Sequence, residues 1–542
     1  MNDTTKSTEP ELSRRTRAAN LERMRRETFD VAVIGGGATG AGIALDAATR
    51  GLTVALLEKQ DFAAGTSSRS SKLIHGGLRY LEQFEFALVR EGLHERARLR
   101  RNAPHLSQPL PFLIPVYKEG KRSPLGNNRL KLRAGLALYD WLAGRRNFAR
   151  HGWLSAAEAL AFAPHLSPHG LRGAFVYYDG LTDDARLVIE IIKTAAAHGA
   201  VVANYAAADG FVTRESRVAG IEASDRLCDQ RLTLAARLVI NATGVWADEV
   251  RRLSDSSAQK TLRPSKGIHV VLTAEKLRNR AAVLIPSLGE QRFLFVIPWQ
   301  HRIVVGTTDT DYAGDLDDPR ATADEIRRVV ESAARSFPDA DIRMNDVITS
   351  FAGLRPLAGG DDGATSELSR REAITENQAG LISISGGKLT AWRAMAERVV
   401  DLAVKRLASR DASANEWRRS RSAEIELANN AHFTSDEATD AARIARDFAV
   451  PVATVEHLMQ TYGGNCVTVL ELARQRDEWK RTLIEGLPHI EAEVIYAARY
   501  EMAATVEDVL SRRTRIGLLT RDGGAACAAR IAQLMIEATG AS

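Results

Sequence analysis

The stretch Phe29–Lys59, FDVAVIGGGATGAGIALDAATRGLTVALLEK, decides the fold. Val31 to Ile34 form an apolar run of the kind buried on both faces of a parallel sheet. Gly35, Gly37 and Gly40 follow at the G-x-G-x-x-G spacing, and an alanine-rich helical pattern carries on to about Arg50. A second apolar run, Leu52 to Leu57, ends in Glu58. The succession predicts a βαβ unit that binds a dinucleotide. Gly35 permits the tight turn, and Gly37 lets backbone N–H groups approach a pyrophosphate. Gly40 lets the helix pack closely on the strand, and the helix N-terminus faces the phosphate charge. Glu58 stands close to the expected ~20 residues beyond the glycines, where a carboxylate can accept hydrogen bonds from a ribose diol. A glycine-rich turn without a nucleotide is the competing reading, but strand, helix, second strand and acid here all fall in place together.

Composition bounds the rest. A chain of 542 residues, 45% hydrophobic and 26% charged, has an ordinary globular balance and room for two or three domains. The net charge of +5 is modest for this length and points to no nucleic-acid partner. The 3 cysteines, Cys228, Cys466 and Cys527, show no C-x-x-C or Cys/His metal spacing, so a reducing compartment and no structural metal are expected. No apolar run reaches the ~18 residues of a membrane-spanning helix. Met1 to Arg26 lacks the apolar centre of a secretory signal, and Asp3, Glu9, Glu11 and Glu22 argue against a transit peptide. Residues 1–28 are therefore expected to be a mobile, charged N-terminal extension, helical from about Glu11.

After Glu58, Thr66, Ser67, Ser68, Ser70 and Ser71 crowd hydroxyls and amides into a short window that can lie along a phosphate chain. Gly76 and Gly77 allow close approach to something flat or bulky. The run SSRSSKLIHGGLRYLE, Ser67 to Glu82, closely resembles the FAD-dependent glycerol-3-phosphate dehydrogenases, flavoenzymes linked to membrane quinones. The resemblance continues in NATGVWAD (Asn241–Asp248), KGIHVV (Lys266–Val271) and VGTTDTDY (Val305–Tyr312). It returns in GLRPL (Gly353–Leu357), SGGKLTAWRAMAE (Ser385–Glu397) and EMAATVEDVLSRRTRIGLL (Glu501–Leu519), and so spans Phe29 to the C-terminus.

What the resemblance implies is specific. The fold would be α/β, an FAD-binding Rossmann-like domain of the glycine/D-amino-acid oxidase type. An antiparallel-sheet substrate domain would be interleaved with it, and a helical cap would follow. The expected organisation is an oxidoreductase region over 29–408 and a C-terminal helical domain over 409–542. Within the former, a discontinuous FAD domain would occupy about 29–108, 172–260 and 350–408, with substrate- or membrane-facing insertions at 109–171 and 261–349. FAD would be bound by Gly35, Gly37, Gly40, Glu58, Thr66, Ser67, Ser70, Ser71, Gly76 and Gly77, then by Gly244, Gly386, Gly387, Lys388, Leu389 and Thr390. A helix opening near Thr390 could stabilise negative charge on a reduced flavin ring.

The reaction implied is oxidation of sn-glycerol 3-phosphate to dihydroxyacetone phosphate, with electrons passed to a membrane quinone. Such chemistry needs a hydride acceptor, a proton acceptor and cations for a phosphate dianion. His269, in the apolar run Ile268 to Leu272, has a side chain whose ordinary pKa of about 6.5 suits proton transfer; by itself it reads equally as a core histidine. Arg355, between Leu354 and Pro356, matches a family arginine beside the reacting hydroxyl. Arg370 matches one implicated in phosphate recognition, with Arg371 as the alternative, and Lys388, Arg79 and Tyr80 would complete the anion pocket. Oxygen instead of quinone as acceptor, and a catalytically silent FAD-binding scaffold, are the rival readings.

One further segment, 109–150, carries Lys118, Lys121, Arg122, Arg129, Lys131, Arg133, Arg145, Arg146 and Arg150 around an apolar Leu132–Leu142. It is expected to lie as a helix on an anionic membrane surface, with Tyr139 and Trp141 at the boundary. That places the protein in the cytoplasm, held peripherally at the inner face of the cell membrane. A homodimer is compatible with this reading.

Overall fold

The quoted stretch folds as strand Thr28–Ile34, helix Ala38–Thr49 and strand Val54–Leu57 in the computed structural model. The structure describes residues 10–119, 123–126, 128–289, 292–359, 372–409, 417–427 and 440–539. Strand Thr28–Ile34 pairs in parallel with Val54–Leu57 on one side and with Gln230–Asn241 on the other. The sheet extends to Val201–Ala203 at one edge, and through Ile382–Ser385 to Ala373–Glu376 at the other. Parallel strands need crossovers that cover both faces. Helices Ala38–Thr49, Asp184–Ala197 and Trp392–Ala408 supply one cover, sharing a core that includes Ile43, Ile191 and Val400. The hairpin Ala206–Arg214 and Arg217–Asp225 lies with the core on the other face.

Glu215 and Ser216 turn the chain with φ of 49° and 62°. Two-residue hairpin turns of this kind favour Asn-Gly or Asp-Gly, and Glu-Ser carries no such signal. Residues 10–28 depart from the expected mobile extension. Ser13 caps a helix, Arg14–Arg26, that packs on the same face of the sheet as the hairpin, against Val201–Ala203 and Gln230–Asn241. Arg17 forks onto the Asp225 carboxylate at 2.6 and 3.0 Å, Asn20 donates to the Val202 carbonyl at 2.9 Å, and Leu21 and Met24 are buried. Only the charged outer face of this helix is visible to a composition argument.

The second sheet is larger. Leu262–Thr273 pairs antiparallel with Val347–Ala358 along most of its length, and with Arg302–Gly306 and Thr310–Asp311 on its other side. The sheet continues through Phe293–Trp299, Ala282–Pro286, Gln108–Tyr117, Leu171–Leu181 and Leu73–Ile74. Strands Leu171–Leu181 and Val347–Ala358, assigned above to the FAD domain, therefore belong to this sheet instead. The segment Gln108–Tyr117 is likewise one of its core strands, not an outward-facing insertion. The register puts Arg355 opposite Ser265 and His269 opposite Phe351. A Cβ on Gly267 would fall 2.5 Å from the Arg355 guanidinium, so glycine there lets the arginine lie across the strand.

The C-terminal helices, among them Val452–Tyr462, Cys466–Gln475, Glu491–Tyr500 and Ala525–Thr539, share a hydrophobic core with the larger sheet. Buried ion pairs complete the joint. Arg512 and Arg513 meet Asp61 at 2.6 and 2.8 Å, and Arg186 meets Glu501 at 2.7 Å. Burial pushes the Asp61 carboxyl up, but Arg513 and Arg512 outweigh it and hold it at about 2. His105 is pushed down to about 3 by burial and by the charges of Arg186 and Lys193.

These shifts set an acid limit on stability. A histidine whose folded pKa lies below its unfolded value near ~6.5 costs stability as pH falls through that value. Asp61, also depressed, adds its loss only below its unfolded value near ~3.9. Stability should therefore be flat between pH ~7 and the value of about 8 to which buried Lys72 is depressed, and fall from pH ~6.5 downward, by about 1.4 kcal/mol per pH unit for each buried histidine. A melting temperature unchanged between pH 7 and 4.5 would show that His105 charges within the fold.

Candidate active site

The glycine turn, the Ser-rich loop and the central strands of both sheets open onto one cavity of about 640 Å³. At one end Gly35, Gly37, Ala38 and Thr39 line it, with Gly244 and Glu58 nearby. Gly35 has φ of 111° and a Cβ there would sit 2.6 Å from the Ala242 carbonyl oxygen. A Cβ on Gly40 would collide with the Gly35 carbonyl oxygen, so this glycine seats helix on turn and does not itself line the cavity. The helix N-cap is Gly37, which offers no side chain; the Ala38 N–H is taken by Ser67, and Ala38 and Thr39 of the first turn line the cavity. Glu58 Oε2 accepts from the Gly36 N–H at 2.7 Å and Oε1 from the Gln60 N–H at 2.8 Å. Each oxygen keeps a further acceptor site. A tight glycine cradle, a helix start on the cavity wall and a held carboxylate fit FAD.

The hydroxyls of the Ser-rich loop meet protein groups. Ser67 Oγ accepts from the Ala38 N–H at 3.0 Å, which ties the loop to the helix start. Thr66 Oγ1 donates to the Leu354 carbonyl at 2.7 Å, and Ser70 Oγ to Asp184 at 2.7 Å. Ser71 Oγ lies 2.8 Å from His269 Nε2. Thr66, Ser67, Ser70 and Ser71 all line the cavity, but their hydroxyls are engaged by protein groups.

The other end of the cavity is built by the larger sheet and by Gly386 to Thr390. His269 is 2% exposed, its ring stacks on Phe351 with centroids 4.7 Å apart, and it lines the cavity. Burial, then the charges of Lys72 and Arg355, hold its imidazole well below the usual histidine range. Lys72 itself is fully buried and is pushed down to about 8, by burial and by Arg515, against the pull of Asp184. Arg355 donates to Thr307 Oγ1 at 2.9 Å and the Thr308 carbonyl at 3.2 Å, and meets Asp309 at 3.4 Å. Gly386 and Gly387 have φ of 79° and 81°. They carry the chain into Lys388, whose ammonium lies 3.6 Å over the Tyr80 ring. Leu389 and Thr390 line the cavity beside it, and the His75 N–H donates to Thr390 Oγ1 at 3.0 Å.

Three expected positions fall elsewhere. Gly76 does not line the cavity; its N–H donates to Tyr139 OH at 3.0 Å, and its missing Cβ makes room for Leu93. Gly77, with φ of 82°, makes room for the Tyr80 ring. Arg79 lines a second cavity of about 800 Å³ and not the first. Tyr80 and Arg355 lie on the walls of both. Arg370 and Arg371 lie outside the described residues. His75, Thr307 and Lys59 also line the first cavity and Asp309 the second, without a signal of their own in the sequence; the Lys59 ammonium lies 4.1 Å over the Trp246 ring.

Residues 30–402 match the family model described as "FAD dependent oxidoreductase", and residues 421–542 match "C-terminal domain of alpha-glycerophosphate oxidase". A glycerol-3-phosphate dehydrogenase of Mycobacterium leprae is 37% identical over 530 residues, covering 98% of this chain and 88% of that one. The chain belongs to the FAD-dependent glycerol-3-phosphate dehydrogenase family. An alpha-glycerophosphate oxidase of Streptococcus pneumoniae is 35% identical over 570 residues, covering 94% of this chain and 92% of its own. The solved glycerol-3-phosphate dehydrogenase of Bacillus halodurans, complexed with FAD, superposes with a TM-score of 0.79 at 32% identity. That match covers 98% of this chain and 94% of the other. FAD is the cofactor of this fold, and the cradle described above is where the present chain can hold it.

A branched side chain at Gly37 would begin 3.1 Å from Ser67 Oγ and push away the group that receives the Ala38 N–H. Gly37→Val should therefore purify largely without flavin, read from the ratio of flavin to protein absorbance. Full occupancy would place the pyrophosphate elsewhere.

Proposed function

We propose that the chain oxidises sn-glycerol 3-phosphate to dihydroxyacetone phosphate and delivers the electrons to a membrane quinone. The observation that carries the first half is the placing of His269, Arg355 and Lys388 on the wall of the cavity that also holds the glycine cradle. FAD, when bound, supplies the acceptor for the carbinol hydride. Burial and two neighbouring cations oppose protonation of His269 and so favour the neutral imidazole that a proton acceptor needs. Ser71 fixes the ring and Phe351 stacks on it, so the imidazole is oriented before substrate arrives. Arg355 offers positive charge where a developing alkoxide would form. Its own geometry is set by Thr307, Thr308 and Asp309. Lys388, with Tyr80 beneath it, and Arg370 are the groups we assign to the phosphate dianion.

The acceptor half rests on the second cavity. Leu78, Leu81, Ile114, Leu136 and Phe293 line it, and it shares Tyr80, Phe295, Thr307 and Arg355 with the first. A chamber with an apolar part that shares wall residues with the flavin cavity suits a lipid-soluble electron acceptor. Helix Arg129–Ala143 forms one of its walls and supports the membrane reading in a changed form. Tyr139 is buried, its hydroxyl donating to Asp179 at 2.9 Å, and so does not reach a boundary as expected. On the outer face Leu130 is 78% and Trp141 76% exposed, flanked by Lys131, Arg133, Arg145 and Arg146. Phe84, 78% exposed, stands at the rim of the same chamber. Among the described residues no helix is long and apolar enough to cross a membrane. We therefore place the protein in the cytoplasm, on the inner face of the cell membrane through this helix. A homodimer is compatible with that placement.

Two outcomes check the proposal. His269→Ala and Arg355→Ala should each lower kcat by about 100-fold or more with FAD retained, in anaerobic turnover with a short-chain quinone. Near-normal turnover would remove that residue from its role, and stoichiometric peroxide in air with no quinone turnover would make oxygen the acceptor. In flotation with anionic liposomes at low salt the parent should float. A variant with Lys131, Arg133, Arg145 and Arg146 changed to glutamine should stay behind, since each basic residue contributes about 1 kcal/mol near such a surface. Equal flotation would put the membrane contact elsewhere.

A further inference from the structure

The C-terminal domain holds a cluster that the redox chemistry does not use. His457, on helix Val452–Tyr462, meets His489 and Glu493 at the start of helix Glu491–Tyr500, and one ligand atom from each lies within 4.8 Å of the others. His457 Nε2 is 3.0 Å from Glu493 Oε2, and the two imidazole rings lie 4.2 Å apart between centroids. His489 is 2% exposed, and its ring has the Thr514 backbone as a hydrogen-bond partner, which leaves its second ring nitrogen for the cluster.

From this geometry we propose that His457, His489 and Glu493 form a site for a divalent transition metal ion of the zinc class, closed by one water or anion. Two imidazoles and one carboxylate are a donor set that zinc accepts, at distances of about 2.0–2.2 Å. A tetrahedral site of that size keeps its donors about 3.4 Å apart, so the observed spacing needs only small side-chain shifts. The surrounding contacts are those of a supported site. Thr461 Oγ1 lies 3.4 Å from His457 Nδ1, which leaves Nε2 for the metal. Tyr462 OH donates to Glu493 Oε2 at 2.9 Å, and the Ile490 N–H donates to Oε1 at 2.8 Å. Glu493 is fully buried, while the His457 side chain keeps 10% exposure and so gives a route of entry.

The competing arrangement is a metal-free His457–Glu493 pair. The metal would fasten helix Val452–Tyr462 to the loop that enters helix Glu491–Tyr500. Its neighbour Thr514 adjoins Arg515, which reaches the Ser-rich loop of the flavin cavity. The site is thus a staple for the C-terminal domain, distant in role from hydride transfer.

The test uses the chelator-treated holoenzyme dialysed against zinc and then analysed for bound metal. We expect about one zinc per chain, a raised melting temperature, and affinity weakened roughly 100-fold or more in His489→Gln and in His457→Gln, beyond the loss that an outer-shell partner causes. Cobalt added to the dithionite-reduced parent, where the flavin band is bleached, should give visible ligand-field bands of a four-coordinate site. That spectrum is read on the parent and so decides the matter even if both variants fail to fold. No zinc retention by the parent, equal retention by folded variants, or a cobalt spectrum of an octahedral aquo ion would each overturn the proposal.

Discussion

The Asp184 carboxylate is the point on which the site depends. It opens helix Asp184–Ala197, is fully buried, and receives hydrogen bonds from four directions. The Ser70 N–H and hydroxyl reach it at 2.9 and 2.7 Å, Lys72 Nζ at 2.8 Å and Arg515 Nη2 at 3.0 Å. Lys72 and Arg515 also both bond the Ser68 carbonyl, at 2.8 and 3.0 Å. One anion therefore fixes the loop that lines the flavin cavity, joins it to the C-terminal domain, and sets Ser71 against His269. Burial opposes the charge of Asp184, but Lys72 and Arg515 hold its carboxyl below the usual range.

Such an arrangement is balanced, not cheap. Removing one partner of a buried ion pair leaves the other charge unsolvated and costs about 3–5 kcal/mol, whereas the intact pair roughly breaks even against its desolvation. The gain is geometric. The carbonyl of Ser68 and the hydroxyls of Ser70 and Ser71 have one arrangement available to them, and His269 inherits its orientation from that. Lys72, one of the two cations that hold Asp184 ionised, also adds to the burial that disfavours a charge on His269, so the proton acceptor and the anchor share one cation.

How much of this could be read from the chain follows from where each interaction lives. The glycine turn was legible, because its spacing carries its own mechanism within a few residues of sequence. His269 and Arg355 were legible only through the family motifs, since an apolar strand with one histidine reads equally as core. The hydroxyls of Ser70, Ser71 and Thr66 carry no sign in the sequence of their tertiary partners, because Asp184, His269 and the Leu354 carbonyl lie far away along the chain. Tyr139 reads as a surface aromatic for the same reason, its partner Asp179 being on a distant strand. Helix Arg14–Arg26 looked detached because the residues that dock it, Arg17 and Asn20, are polar and escape a hydrophobic pattern. The hairpin at Glu215 and Ser216 has no turn residue to announce it.

The central claim is that the glycine cradle and the His269–Arg355 end of the cavity act on one substrate. It is tested most directly by adding glycerol 3-phosphate to the oxidised holoenzyme under anaerobic conditions and following the flavin absorbance. The account requires rapid bleaching with the phosphate ester, very slow bleaching with glycerol, and slow bleaching with the ester in His269→Ala. Unchanged absorbance with the ester, or equal rates for the ester and glycerol, would contradict it.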